Sequence, residues 1–291
     1  MTFRNNLKYA LGLAAAVFAS DMKPEIKEYH FSPLVQREEI TLPISKVMEL
    51  YFDCDQVFYN AGRFRYTRTI EELNEIVTKR KNLEEELIRY YNEQINLSRF
   101  TFHPIDTTYG WHDPLNGKGQ IKDNFNDPRK RPGRRIEKHK ASDIFLSVGN
   151  NIYSPGNVIV IAASGNWRGK WNGKKGLYDT KGGLGDLTGN GALLFSPSTR
   201  EYYLLAHLKD VYVNTGDIIP GGTLIGTVGK TGNALSLRRK DDHLHFAMKK
   251  EGEACGVPGV LQPTNPFRIL AEERMKNLYR PIYVDEESLY E

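Results

Sequence analysis

The residue types best suited to chemistry in this chain are histidines. There are seven in 291 residues: His30, His103, His112, His139, His207, His243 and His245. Two of them stand in His243-Leu244-His245, where the run from Leu244 to Met248 reads as a strand. Side chains two apart on a strand point to one face, so both imidazoles can enter one site. His139 precedes Asp143 by four positions, and the two can converge on one ion where a loop enters a strand. Two histidines and one aspartate suit divalent zinc, which accepts nitrogen and oxygen ligands at about 2.0–2.2 Å and in catalytic sites keeps a fourth position open for water. His207 closes the run Tyr202-Tyr-Leu-Leu-Ala-His and is expected at a strand end. His-x-His alone is a weak signal. His103 and His112 sit in loop-like contexts and read as structural or solvated.

Short strands must position these groups. From residue 100 to about 265 the chain alternates Gly, Asn and Asp turns with β-branched or aromatic runs, at 157–162, 192–195, 201–205 and 223–228. That pattern predicts an antiparallel β domain. Ahead of it, 69–97 reads as a helix. Thr69 and Glu72 form a capping box, and Leu73, Ile76, Leu83, Leu87 and Tyr90 make a stripe that Arg80 interrupts. The expected organisation is a signal peptide over 1–19, an N-terminal accessory segment with one long helix over 20–100, the site-bearing domain over 101–265, and a tail over 266–291. The overall class is α+β with a mainly β domain. The leader rests on basic Arg4 and Lys8, an apolar stretch from Tyr9 to Ala19, and small residues before Ser20. It is too short to span a bilayer, so no stable transmembrane segment is expected after cleavage.

The bulk numbers exclude little. Hydrophobic residues at 40% call for a globular core, and the net charge of +4 is mild. Cys54 and Cys255 form no metal-ligand spacing, and one disulfide is open in an oxidising compartment. Two stretches stand out. Residues 127–140 hold seven basic residues against two acidic ones, and 164–191 holds nine glycines with Trp167, Trp171 and five basic residues. The second reads either as a groove wall for an extended, partly anionic substrate or as a flexible surface insertion. Similar ingredients serve nucleic-acid binding, but no recognition motif for it is present.

Three fragments together resemble a known family. His139-x-x-x-Asp143, then Tyr203-Leu-Leu-Ala-His207-Leu208, then His243-Leu-His245-Phe246 look like the signature motifs of lysostaphin-type zinc metalloendopeptidases, also called LytM-like or β-lytic. The glycine-rich run from Val213 to Gly232 and Ser154-Pro-Gly-Asn-Val158 extend the likeness over roughly 101–252. The resemblance implies a duplicated hybrid motif or β-sandwich, and one Zn2+ per chain held by His139, Asp143 and His245. It implies His243 as general base, with His207 holding the water or stabilising the oxyanion. It further implies a periplasmic or secreted enzyme that cuts peptide cross-links of peptidoglycan, with activity falling below about pH 6 as ordinary histidines protonate. Two features depart from the family pattern. Ala141 stands where the family has Gly, and insertions occur at 164–191 and 233–242.

Three rivals belong to other classes. A lysostaphin-like regulator of another cell-wall hydrolase would keep the fold without hydrolysis. A sugar-phosphotransfer carrier would use two histidines and need no Asp143. A lipoyl- or biotinyl-type carrier would need an acceptor lysine in its own hairpin motif, which is missing.

Overall fold

The computed structural model describes residues 70–98, 113–129, 137–171, 178–254 and 256–278. Outside these lie the expected leader 1–19, most of the accessory segment, Thr69 of the capping box, His30, His103, His112, Cys54, Cys255, residues 130–136 of the basic stretch and the end of the tail. Among the described residues no helix is long and apolar enough to cross a membrane.

Helix α1 spans Ile70–Ser98, within a residue of the expected bounds at each end. The strands that follow are β1 Gln120–Ile121, β2 Pro128–Arg129, β3 Glu137–Lys138, β4 Ser142–Phe145, β5 Asn151–Tyr153, β6 Val158–Ser164 and β7 Arg168–Trp171. They continue as β8 Tyr178–Lys181, β9 Asn190–Ser196, β10 Glu201–Val211, β11 Ile218–Ile219, β12 Leu224–Val228, β13 His243–Ala254 and β14 Val257–Thr264. Helix α2, Pro266–Leu278, opens the tail.

Ten strands form one antiparallel sheet with the central order β1-β4-β13-β10-β9-β6-β11. β12 pairs with β10 and β5, and β14 pairs with β13. Among the described residues the fold is therefore mainly antiparallel β with a helix before and after the strands, as the sequence pattern predicts. Two small hairpins, β2-β3 and β7-β8, stand apart from the sheet.

Period-two alternation divides the strands between two cores. Tyr203, Leu205, Leu244, Phe246 and Met248 face one cluster, with Ile152, Ile225 and Val228. Tyr202, Leu204, Ala206 and Ala247 face the other, which α1 covers through Leu73, Val77, Leu87 and Tyr90. A sheet buried on both sides explains the near-continuous apolar runs of β9 and β10.

Arg80, which breaks the apolar stripe of α1, is itself 1% exposed. Its guanidinium donates to Glu84 Oε1 at 2.5 Å, to Glu251 Oε1 at 2.7 Å and to the Gly259 carbonyl at 2.7 Å. Tyr202 Oη completes the cluster by donating to Glu84 Oε1 at 2.8 Å. The charge that looked like a flaw in the helix is the point where α1 fastens onto β10, β13 and β14. A buried charge survives only when paired and hydrogen-bonded in this way.

Candidate metal and catalytic centre

The site is built across three neighbouring strands. β4 and β13 pair so that Asp143 stands opposite His245 and Phe145 opposite His243. On the other side of β13, His245 stands opposite Ala206 of β10. The alternation that sends Leu244 and Phe246 into one core sends His243 and His245 to the opposite face, as period two requires. His139 arrives from the loop after β3. Its backbone is fixed by N–H donation to Asp127 O at 2.9 Å and by acceptance from Asn126 N at 2.6 Å.

Ala141 costs this loop nothing. It is fully buried in the core beneath α1 and is absent from the non-glycine residues with positive φ. A glycine is not demanded here, so the departure from the family pattern leaves the approach of His139 intact.

His207 enters differently from the expected strand end. It lies inside β10 at φ 68°, a left-handed conformation that a side chain rarely adopts. On β9 the partner of Ala206 is Gly191 and the partner of Leu208 is Asn190. His207 is thus the extra residue of a β-bulge. The bulge resets the alternation, so Leu208 rejoins the core of Tyr203 and Leu205 while the imidazole is turned toward the other histidines. Gly229 makes room for the loop that supports it, because a Cβ there would lie 2.1 Å from Lys209 N and 2.6 Å from His207 O.

All five expected residues converge. His139 Nε2 lies 3.3 Å from Asp143 Oδ1 and 3.3 Å from His245 Nδ1, and His245 Nδ1 lies 3.0 Å from Asp143 Oδ1. Four ligands about 2.0–2.1 Å from a tetrahedral zinc stand about 3.3 Å apart. The triad therefore has the spacing of one triangular face of that tetrahedron. His207 and His243 lie beside the triad, their centroids 5.1 Å apart, with His207 5.5 Å from His245. His207, His243 and His245 also form a group able to hold an ion. The carboxylate of Asp143, in direct contact with His139 and His245, favours the group His139, Asp143 and His245.

Backbone carbonyls set the tautomers. A carbonyl only accepts, so the nitrogen facing it carries the proton. His139 Nδ1 donates to Asn124 O at 3.0 Å, His207 Nδ1 to Thr231 O at 3.0 Å and His243 Nδ1 to Asp241 O at 2.8 Å. In each neutral ring Nε2 keeps its lone pair for the site. His243 Nε2 is buried and has no hydrogen-bond partner among the described residues. Its distance of 3.6 Å to Asp143 Oδ1 is too long for a hydrogen bond. An orphaned acceptor beside a tight triad of donor atoms fits a metal and its water.

Three supporting residues were not anticipated. Arg129, on the β2-β3 hairpin, pairs with Asp143 Oδ2. Asn124 donates to the same oxygen at 3.2 Å and accepts from Asp143 N–H at 3.2 Å. Together they turn Oδ2 away and leave Oδ1 toward the histidines. Thr231 orients His207 through its carbonyl and ties Asn190 to Leu208 through its hydroxyl. Arg129 belongs to the conspicuous basic run, but nothing in that run distinguished it from its neighbours.

Electrostatics follow from burial. Burial works to raise the Asp143 carboxyl, but contacts with His139 and His245 outweigh it and hold the group well below the usual carboxylate range. Burial pushes His245 down to about 4, against the pull of Asp143. Burial, reinforced by His245 and His243, pushes His207 well below the ordinary histidine value. His245 therefore stays neutral well below pH 6, and the same burial favours the neutral ring of His207.

Fold and site together define an antiparallel β domain carrying a His/Asp centre suited to one divalent metal ion. Residues 137–256 match the sequence profile of Peptidase family M23. Solved structures similar to the chain include the catalytic domain of lysostaphin from Staphylococcus simulans, at 18% identity and TM-score 0.37, covering 53% of this chain and 92% of that one. Whole lysostaphin from the same organism aligns at 19% identity and TM-score 0.39, covering 57% of this chain and 55% of that one, so the match spans about half its length. A zinc-containing peptidase from Vibrio cholerae aligns at 27% identity and TM-score 0.32, covering 45% of this chain and 33% of that one. No curated protein matches the chain.

Proposed function

We propose that this protein is a zinc-dependent endopeptidase of the cell envelope that hydrolyses peptide cross-links of bacterial peptidoglycan. The observation that carries the reading is the 3.0–3.3 Å triangle of His139 Nε2, Asp143 Oδ1 and His245 Nδ1, with two further imidazoles beside it. Those three atoms would hold the ion. When bound, zinc supplies Lewis acidity that makes water nucleophilic at neutral pH and polarises the amide carbonyl.

His243 is the general base. Asp241 O fixes its Nδ1 proton, so Nε2 can take a proton from the attacking water and return it to the leaving amine. His207 is bound the same way through Thr231 O, and burial keeps it neutral. A neutral ring with its proton on Nδ1 accepts at Nε2 and cannot donate there. His207 therefore holds the water rather than the oxyanion. Peptidoglycan as substrate, export through the 1–19 leader and a cell-envelope location rest on the family resemblance.

The test is incubation of the mature protein with purified peptidoglycan, with and without a chelator, followed by mass spectrometry of released fragments. New amine termini that vanish with the chelator are expected. Bound zinc without release from several wall chemistries would instead identify a non-catalytic regulator. A His243→Ala variant that kept full activity would remove the base from its role.

A further inference from the structure

Beside His207 lies an open recess of about 440 Å³, a size that accepts one residue-sized group. Its walls come from three places. The β7 end supplies Trp167 and Arg168, β9 and β10 supply Asn190 and Lys209, and the loop after β12 supplies Lys230 and Thr231. Thr231 is also the residue whose carbonyl orients His207, so recess and site share a wall.

The charge of this recess is one-sided. Three cations line it and no carboxylate does. Lys209 pairs with Asp210 at 3.8 Å and Lys230 with Asp242 at 3.5 Å, and neither acid lines the recess. Lys230 is pinned in place by donation to Leu237 O at 2.5 Å. Arg168 has no acidic partner among the described residues. Trp167 is 8% exposed and gives the recess a rigid apolar side.

We infer that this recess is a carboxylate subsite, which binds an acidic side group or free carboxyl of the peptide close to the scissile amide. The inference rests on the proposed peptidase reading and deepens it by naming the chemistry of the preferred substrate. Cations from three chain segments converging on one concavity select an anion by position as well as by charge. The glycine-rich hairpin thereby takes the role of a groove wall, through Trp167 and Arg168.

The test uses the full chain loaded with zinc and two peptides that differ only in one group near the cleaved bond, a free carboxylate or its carboxamide. A preference of about tenfold in kcat/KM for the carboxylate, carried by KM, is expected at low salt. Lys209→Met with Lys230→Met should bring that ratio close to one, and Lys230→Glu should reverse it. Equal turnover of the two peptides by the unaltered protein, or a ratio that survives both variants, would overturn the subsite. If neither peptide is cut, calorimetric binding of the same pair reads the subsite separately. A binding preference would then keep the subsite while the peptidase reading fails, and equal binding would remove both.

Discussion

Asp143 and His245 face each other in register across β4 and β13, and their ligand atoms lie 3.0 Å apart. Two strand-borne groups locked by ladder hydrogen bonds have little freedom to separate, so the centre is preformed. The protein is expected to bind one zinc, and His245→Ala or Asp143→Ala to bind almost none, measured by elemental analysis after gel filtration. Arg129→Met should leave the ligands in place but weaken zinc binding about 10–100-fold in chelator competition, because it releases the Asp143 oxygen that the guanidinium holds. Unchanged affinity in that variant would mean that Asn124 alone orients the carboxylate.

His207 stores backbone strain at the site. A side chain at φ 68° costs about 1–2 kcal/mol relative to glycine, while glycine loses about 0.5–1 kcal/mol through the flexibility of its unfolded chain. His207→Gly is therefore expected to be more stable than His207→Ala by up to about 1 kcal/mol in chemical denaturation, and both should lose hydrolytic activity by about 100-fold or more. An alanine variant as stable as the glycine variant would show that the bulge relaxes when the imidazole is gone.

These two cases mark what the chain made legible. His243 and His245 were readable because period two is a local rule, and Asp143 because it stands four residues after His139 where a loop enters a strand. The bulge at His207 was not. It depends on which residue of β9 faces Ala206, a pairing set by contacts distant in sequence. The partners that fix the tautomers, Asn124 O, Thr231 O and Asp241 O, are backbone carbonyls and leave no trace in residue type. Arg80 was visible as an anomaly of the helix stripe, but its partner Glu251 lies 171 positions away.

The lowered histidines set the response to acid. A buried ring whose folded pKa is below its unfolded value binds fewer protons than the unfolded chain. Stability then rises with pH through that window and is lost as pH falls. For His245 the window runs from about 6.5 down to about 4, and His207 adds to the same slope. Each contributes up to about 1.4 kcal/mol per pH unit there. Metal-free protein should melt at a nearly constant temperature between pH 8 and 7, and progressively lower from pH 6.5 to 4, by differential scanning calorimetry. His245→Asn should flatten that slope. Asp143, lowered in the fold, acts only below about pH 4, where its own stabilisation is lost.

Helix α1 is held to the sheet by the Arg80–Glu84–Glu251 cluster as well as by its apolar stripe. Removing Arg80 leaves Glu84 buried with the Tyr202 hydroxyl as its remaining close hydrogen-bond partner. Glu84 is fully buried, and burial already raises its carboxyl while Arg80 pulls it down, so loss of the guanidinium leaves an unpaired acid in the core. Arg80→Ala is expected to destabilise the protein by about 3–5 kcal/mol, measured by denaturant unfolding. Arg80→Met with Glu84→Gln should cost much less, because hydrophobic and neutral replacements remove the charges together. The cluster shares no residue with the histidine centre, so zinc content should be unchanged in the double variant. If the single and double variants are equally unstable, the contribution of Arg80 is packing of its stem rather than charge, and α1 is secured by its apolar stripe alone.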